Sequence, residues 1–268
     1  MRPWHGATAQ IRKHSRGQPQ GSTVDTWTDE QWLDYITEEA VDERPVDPSK
    51  FSSDVLDRGH VGMRLKDFVA MAAAINGDLR PAHVLALRLY SSSVFKTIND
   101  SLRQGCSTDR KHPYPTTVVY LVDAIKKLRA APGGHPPVLW RGMRGLDVDH
   151  EFMTRGGTEK GFMSTTSDRA VAEEYATRGA PSFSLLFQVH VRNYLMCGAD
   201  ISFASCFPTE KEYLYPPNML LETTTTYRVP VGLQRNSSRG EGLTGNGVAG
   251  GAAEQGVKVV EVEPTYSV

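Results

Sequence analysis

Cysteine is scarce in this chain: three residues, Cys106, Cys197 and Cys206, among 268. They are too few and too scattered for a disulfide framework, so reduced thiols are the simplest reading, with a Cys197–Cys206 pair as the alternative. The eight histidines are dispersed, and neither they nor the cysteines fall at zinc-site spacings, so no metal is expected. No apolar run reaches the ~18 residues of a membrane span. The N-terminal stretch "MRPWHGATAQIRKHSRGQPQGS" lacks the apolar core of a secretory signal. The expectation is a cytoplasmic protein with no membrane partner; the basic, acid-free start leaves an organellar transit peptide as the alternative. An excess of either charge is missing too. The formal net charge is −1, which provides no electrostatic footprint for nucleic acid or an anionic surface. No G-x-G-x-x-G opens a βαβ unit, which excludes a Rossmann-type dehydrogenase.

What is present is the composition of a globular protein with a sizeable core, 39% hydrophobic and 23% charged. Residues 1–26 are polar and aperiodic and read as a disordered tail; 27–268 read as one domain. Thr28-Asp-Glu-Gln31 is a capping box, followed by Trp32, Leu33 and Ile36 at helical spacing. Residues 41–60 are polar and read as loop. "MRLKDFVAMAAAI" (63–75) predicts a helix that stops at Asn76-Gly77. Pro81 opens a further helical pattern that runs to Gly105 and is broken at Ser91, Ser92 and Ser93. After Tyr114-Pro115, Val118, Leu121, Val122, Ile125 and Leu128 form one helical stripe, with Lys126, Lys127 and Arg129 where the helix dipole favours cations.

The pattern changes at "PGGHPP" (132–137). Short β-type runs follow: "VLWRG" (138–142), "GFMSTTS" (161–167), "FSLLFQVHV" (183–191), "KEYLYP" (211–216), "TTTTYRVPVG" (223–232) and "VKVVEVEP" (257–264). In the third, Leu185, Phe187, Val189 and Val191 form the more apolar face, and Ser184, Leu186, Gln188 and His190 the other. One helix interrupts the series, capped by Ser167 or Asp168 and closed at Gly179. Residues 233–256, rich in Gly, Ser, Asn and Ala, read as a flexible insertion. Helices first (27–131) and strands afterwards (138–268) make an α+β fold, a helical lobe packed on a mixed, mostly antiparallel β-sheet.

Three polar features sit at strand positions: Arg141, followed by Gly142; Ser164-Thr165-Thr166, after Phe162 and Met163; and Glu210-Lys211-Glu212 in "FPTEKEYLYPP". Two carboxylates two apart on a strand share a face. They are either a solvated edge, with Lys211 softening the repulsion, or a pair facing a cleft. In this order the three features resemble the arginine-specific mono-ADP-ribosyltransferases, whose pattern is Arg, then Ser-Thr-Ser, then Glu-x-Glu. The resemblance covers about residues 65–232 and the last strand; Thr166 stands where the family usually has Ser, and 233–256 has no counterpart.

The resemblance implies an enzyme that transfers ADP-ribose from NAD to an arginine on a target protein, with NAD as substrate, no metal and no nucleic-acid or membrane partner. It implies that Glu212 stabilises the oxocarbenium-like state at the ribose and that Glu210 holds the acceptor guanidinium. Arg141 would grip a phosphate or ribose, and the backbone of Gly142 would approach the nicotinamide amide. Ser164 would orient the ribose and Glu212, with Thr165 and Thr166 beside it. Phe162 and Tyr213 are either stacking partners or core, and Arg169 is a candidate for the pyrophosphate. The alternatives are an NAD glycohydrolase that uses water as acceptor and a non-catalytic binding module that keeps the fold. A nucleic-acid modifier has fold analogy in its favour and no basic patch.

Overall fold

The computed structural model describes residues 27–37, 41, 44–45, 55–105, 111–131, 134–178, 184–230 and 256–266. The expected tail, Cys106, Gly179, the last two residues of the strand expected at 223–232 and residues 233–255 of the expected insertion lie outside the described residues. Helices come first: α1 (Asp29–Thr37), α2 (Leu65–Ile75), α3 (Pro81–Tyr90), α4 (Phe95–Gln104) and α5 (Pro115–Arg129). The start of α1 is the expected reciprocal box. The Thr28 N–H donates to Gln31 Oε1 at 2.8 Å and the Gln31 N–H to Thr28 Oγ1 at 3.3 Å. The serines end α3 as anticipated, because their hydroxyls compete for the helix carbonyls. Ser91 Oγ donates to the Arg88 carbonyl at 2.9 Å and Ser92 Oγ to that of Leu89 at 2.6 Å. The stretch expected to be loop contains a small ladder, in which β1 (Arg44–Pro45) pairs antiparallel with β2 (Val55–Leu56).

The second half builds a sheet from β3 (Val138–Arg144), β4 (Gly157–Glu159), β5 (Met163–Thr166), β6 (Ser184–His190), β7 (Ala199–Asp200), β8 (Glu212–Tyr215), β9 (Met219–Pro230) and β10 (Gly256–Tyr266). Two helices interrupt it, α6 (His150–Arg155) and α7 (Arg169–Thr177). The spatial order is β4-β9-β10-β6-β3-β5-β8-β7. Among the described residues its neighbours run antiparallel except β6 and β10, which are parallel. This is the expected α+β layout. The sequence reading missed β4, β7 and α6, which are too short to carry a period.

Three apolar layers hold the fold. Trp32, Phe68, Leu87, Ile98, Leu121 and Ile125 form the core of the helical lobe, which continues onto Phe162, Ile201 and Leu214 and so docks the lobe on the β8–β7 end. On one sheet face Leu139, Phe187, Val189, Val260 and Val262 pack together with Phe152 of α6, whose ring stacks on Phe187 at 5.6 Å. On the other face Leu186, Val257 and Val259 lie against Ala172 of α7. Leu186, read from its alternation as part of the more polar face, is therefore fully buried. A strand covered on both sides gains from apolar residues on both, and the two-residue period fades.

Candidate active site

The sheet is nearly divided at its middle. β3 pairs with β6 over seven residues, from Val138↔His190 to Arg144↔Ser184. Its register with β5 is the single pair Trp140↔Thr166, while β5 runs on beside β8. Beyond Trp140 the strands part, and a side chain bridges the opening: Arg141 Nη1 donates to the Ser164 carbonyl at 2.8 Å. Arg141, Ser164 and Glu212 thus come together from β3, β5 and β8.

Gly142, next on β3, faces away from that opening. A Cβ there would stand 1.9 Å from the Ala172 carbonyl oxygen and 2.9 Å from the Ala176 nitrogen. The missing side chain thus makes room for the backbone of α7. Gly142→Ala should therefore lower stability by about 1–3 kcal/mol, the usual range for overpacking, read as a fall of several degrees in calorimetry. A wild-type melting temperature would show that α7 gives way freely.

The three hydroxyls after Met163 have separate tasks. Thr165 Oγ1 donates to the Tyr213 carbonyl at 2.8 Å, and Thr166 Oγ1 to the Glu210 carbonyl at 2.6 Å while accepting from the Asp168 N–H at 2.9 Å. Both threonines are buried and brace backbone. Ser164 Oγ lies 3.5 Å from the Tyr90 hydroxyl.

The two glutamates are not alike. Glu212 begins β8 opposite Thr166 and is buried. Burial pushes its carboxyl up to about 7, against the opposing pull of the Ser164 hydroxyl and the Arg141 guanidinium. Glu210 ends a 3₁₀ turn, Pro208–Glu210, and the intervening Lys211 is left-handed at φ 48°. The premise that both glutamates lie on one strand face is thereby corrected: the strand starts at Glu212, and the turn sets Glu210's direction. Glu210 is half-buried and its Oε1 accepts from the Tyr175 hydroxyl at 2.6 Å. The Lys211 ammonium lies 3.2 Å from Asp168, the N-cap of α7.

Four further side chains of the region, Tyr90, Asn99, Arg103 and Glu159, were not singled out in the sequence. Asn99 donates to the Tyr90 hydroxyl at 3.1 Å and to the Phe162 carbonyl at 3.2 Å, and accepts from the Phe162 N–H at 2.9 Å. The Tyr90 hydroxyl, pushed up to about 12 by burial and then by the Glu212 charge, ties this cluster to the site. Arg103 forks onto Glu159 at 3.0 and 3.2 Å. Burial raises the Glu159 carboxyl, but Arg103, the Gly161 N–H and Arg141 together hold it below the usual range. Phe162 is fully buried with its ring 5.3 Å from that of Tyr90, so of its two readings core is the one seen. Tyr213 packs, half-buried, on the cluster of Leu139 and Met163. Arg169 pairs with Glu173 at 2.6 Å and lies over the Trp140 ring at 5.0 Å. Cys197 and Cys206 are both free and buried. Among the described residues no group of three metal-ligating side chains converges, and no helix is long and apolar enough to cross a membrane.

Residues 63–234 match the family described as NAD:arginine ADP-ribosyltransferase. The chain belongs to that family. This ADP-ribosyltransferase-family chain is 29% identical over 190 residues to Exoenzyme T of Pseudomonas aeruginosa, covering 68% of the chain and 36% of that protein. It is 26% identical over 150 residues to human ecto-ADP-ribosyltransferase 5, covering 52% of the chain and 48% of that protein. It is also 31% identical over 98 residues to the NAD(+)–arginine ADP-ribosyltransferase EFV of Enterococcus faecalis, covering 36% and 19%. The chain thus spans less than half the length of each of these curated relatives. In fold it resembles the ADP-ribosyltransferase HopU1 of Pseudomonas syringae, with a TM-score of 0.54 at 18% identity over 88% of this chain and 96% of that one. The ADP-ribosyltransferase Vis of Vibrio splendidus is similar as well, with a TM-score of 0.51 at 17% identity over 88% and 90%.

Proposed function

We propose that this chain cleaves NAD and transfers its ADP-ribose to an arginine of a target protein. The observation that carries the reading is the buried Glu212 carboxyl, held between Ser164 and Arg141 where β3 and β5 part. In the proposed reaction the bond between nicotinamide and ribose breaks and its electron pair leaves with the nicotinamide nitrogen. The ribose becomes oxocarbenium-like, as in glycoside hydrolysis. Glu212, ionised, stabilises that cation in a site dry enough for one charge to matter, and accepts a hydrogen bond from a ribose hydroxyl. Ser164 orients the carboxylate. Arg141, with Arg103 close enough to influence its charge, provides cationic ground for the pyrophosphate. The acceptor guanidinium nitrogen then bonds to the ribose carbon as a proton leaves it, with Glu210 holding the guanidinium and taking the proton.

The test is to incubate the protein with labelled NAD and agmatine, then separate ADP-ribosyl-agmatine from free ADP-ribose. Formation of the agmatine adduct supports arginine as acceptor. Free ADP-ribose alone would make the protein a glycohydrolase, and intact NAD would leave a binding module.

Glu210→Gln separates the roles of the two carboxylates. It keeps the size of the side chain but removes the charge that pairs with a guanidinium, an interaction worth about 1.5–3 kcal/mol. The ratio of agmatine transfer to NAD hydrolysis should fall roughly ten- to a hundredfold. Equal loss of both products would assign Glu210 to bond cleavage instead.

A further inference from the structure

We infer that Tyr175 is a positioning residue for the acceptor: its hydroxyl sets the direction of the Glu210 carboxylate toward an incoming guanidinium. The inference rests on the reading of Glu210 given above. Tyr175 lies on α7, outside all three motifs that the sequence displays.

The backbone at Glu210 is fixed without any help from Tyr175. The Glu210 N–H donates to the Phe207 carbonyl at 3.0 Å and the Lys211 N–H to that of Pro208 at 3.3 Å. Thr166 Oγ1 holds the Glu210 carbonyl at 2.6 Å, and the Ser167 N–H reaches the Lys211 carbonyl at 3.4 Å. A bond from the phenol to Oε1, at 2.6 Å, therefore acts on the carboxylate and adds little to the turn. A glutamate has three side-chain torsions, and one firm donor on one oxygen removes much of that freedom.

The chemistry of the donor fits a cationic acceptor. A phenol orients a carboxylate while leaving it its full negative charge, whereas a lysine or arginine would also neutralise it. The cation next along the chain, Lys211, is turned to Asp168 at 3.2 Å. A carboxylate has about four lone-pair sites, so a phenol bond is compatible with a guanidinium fork.

The phenol can do this only if α7 is held in place, and it is. Asp168 caps the helix by accepting from the Ala170 N–H at 3.1 Å, and Ser184 Oγ donates to the Ala176 carbonyl at 2.9 Å. Close approach to Gly142 fixes its depth on the sheet. The Tyr175 ring is covered by the Arg178 guanidinium, 5.1 Å from its centroid, and Arg178 is in turn paired with Glu174 at 2.8 Å.

The experiment compares wild type, Tyr175→Phe, Glu210→Gln and the double variant. Kinetics with agmatine and with NAD are measured together with hydrolysis and the melting temperature. Tyr175→Phe keeps the ring and loses the donor. The expected result is a rise of about tenfold in the KM for agmatine and a similar fall in the ratio of transfer to hydrolysis. The KM for NAD should move much less. In the Glu210→Gln background Tyr175→Phe should add nothing, because the two residues act through one contact. An unchanged agmatine KM in Tyr175→Phe overturns the role of Tyr175 even when Glu210→Gln behaves as expected. Parallel loss of transfer and hydrolysis with a lowered melting temperature also overturns it, by making the bond structural. A faster transfer would mean that the phenol restrains Glu210, the opposite of the inference. Undiminished transfer in Glu210→Gln would overturn the acceptor role of Glu210, and that of Tyr175 with it.

Discussion

Glu212→Gln is expected to lower both ADP-ribosyl transfer and NAD hydrolysis by about 10²–10³-fold while making the folded protein more stable at pH 8. The rate loss follows from the role proposed for Glu212, since the variant removes a buried negative charge from beside the developing cation. The stability gain follows from linkage. Burial raises the Glu212 carboxyl from 4.5 to about 7, so the native state holds this proton more tightly than the unfolded chain does. Where the native state binds more protons, stability falls as pH rises. The loss begins near the unfolded value, grows through about 7, and is complete above it. A neutral isostere escapes that loss. Allowing for the altered bond to Ser164, the gain should be on the order of 1–3 kcal/mol at pH 8, and it should vanish near pH 4. The same ionisation should appear in kinetics, with wild-type kcat/KM for NAD rising through pH about 7 as Glu212 loses its proton. Denaturant unfolding at both pH values, beside the rates, checks the prediction. An inactive but less stable variant would mean that Glu212 is a structural carboxylate.

The other large effect is expected far from the chemistry, at Arg88. Arg88 and Asp57 are both fully buried and meet through two bonds, Nη1 to Oδ1 at 3.0 Å and Nη2 to Oδ2 at 2.9 Å. Tyr35 donates to the same aspartate at 2.8 Å, and His60 Nδ1 lies 3.1 Å from it. The pair ties the lobe to the segment leading into the Glu210 turn, since Arg88 also donates to the Ala204 carbonyl at 3.3 Å and the Asp57 N–H to that of Cys206 at 2.7 Å. Arg88→Met leaves a buried carboxylate without its cation and should cost about 3–5 kcal/mol.

The pH signature is specific. In the wild type, burial alone would raise Asp57, but His60, Arg88 and Tyr35 outweigh it and hold the carboxyl below the usual range. A depressed carboxyl contributes stability that is fully present above its unfolded pKa of about 3.9. That contribution is lost as pH falls through the folded value. In Arg88→Met the sign should reverse, because an uncompensated buried carboxyl prefers its proton, and mild acid should then recover stability. Asp57→Asn in the Arg88→Met background should restore part of the loss; asparagine also tolerates the left-handed backbone, φ 50°, found at Asp57. Thermal unfolding of the wild type and both variants between pH 4 and 8 is the test. A cost under about 1 kcal/mol for Arg88→Met would mean that water or rearrangement compensates the charge.

The boundary between what the sequence shows and what it conceals follows the range of the interactions. The capping box at Thr28 and Gln31, the break at Ser91–Ser93, the first-turn prolines Pro81 and Pro115 and the run of strands after residue 138 were all legible. Each depends on contacts within a few residues, and these are written into consecutive side chains. The order of Arg141, Ser164 and Glu212 was legible as a motif, because chemistry limits which residue types can serve. Arg88 was not: between Leu87 and Leu89 in a helix it has no local mark of burial, and its partner stands 31 residues upstream. The purpose of Gly142 needed the position of α7, and the burial of Phe162 needed the lobe. Glu210 shows the limit most clearly. Spacing alone put it on the face of Glu212, but a single left-handed residue, Lys211, turned it toward Tyr175. That conformation is held in place by Thr166 and Asp168, from strand and helix more than forty residues away in the chain. Such contacts form only once strand register and helix packing are set, and no pattern within a short window of sequence encodes them.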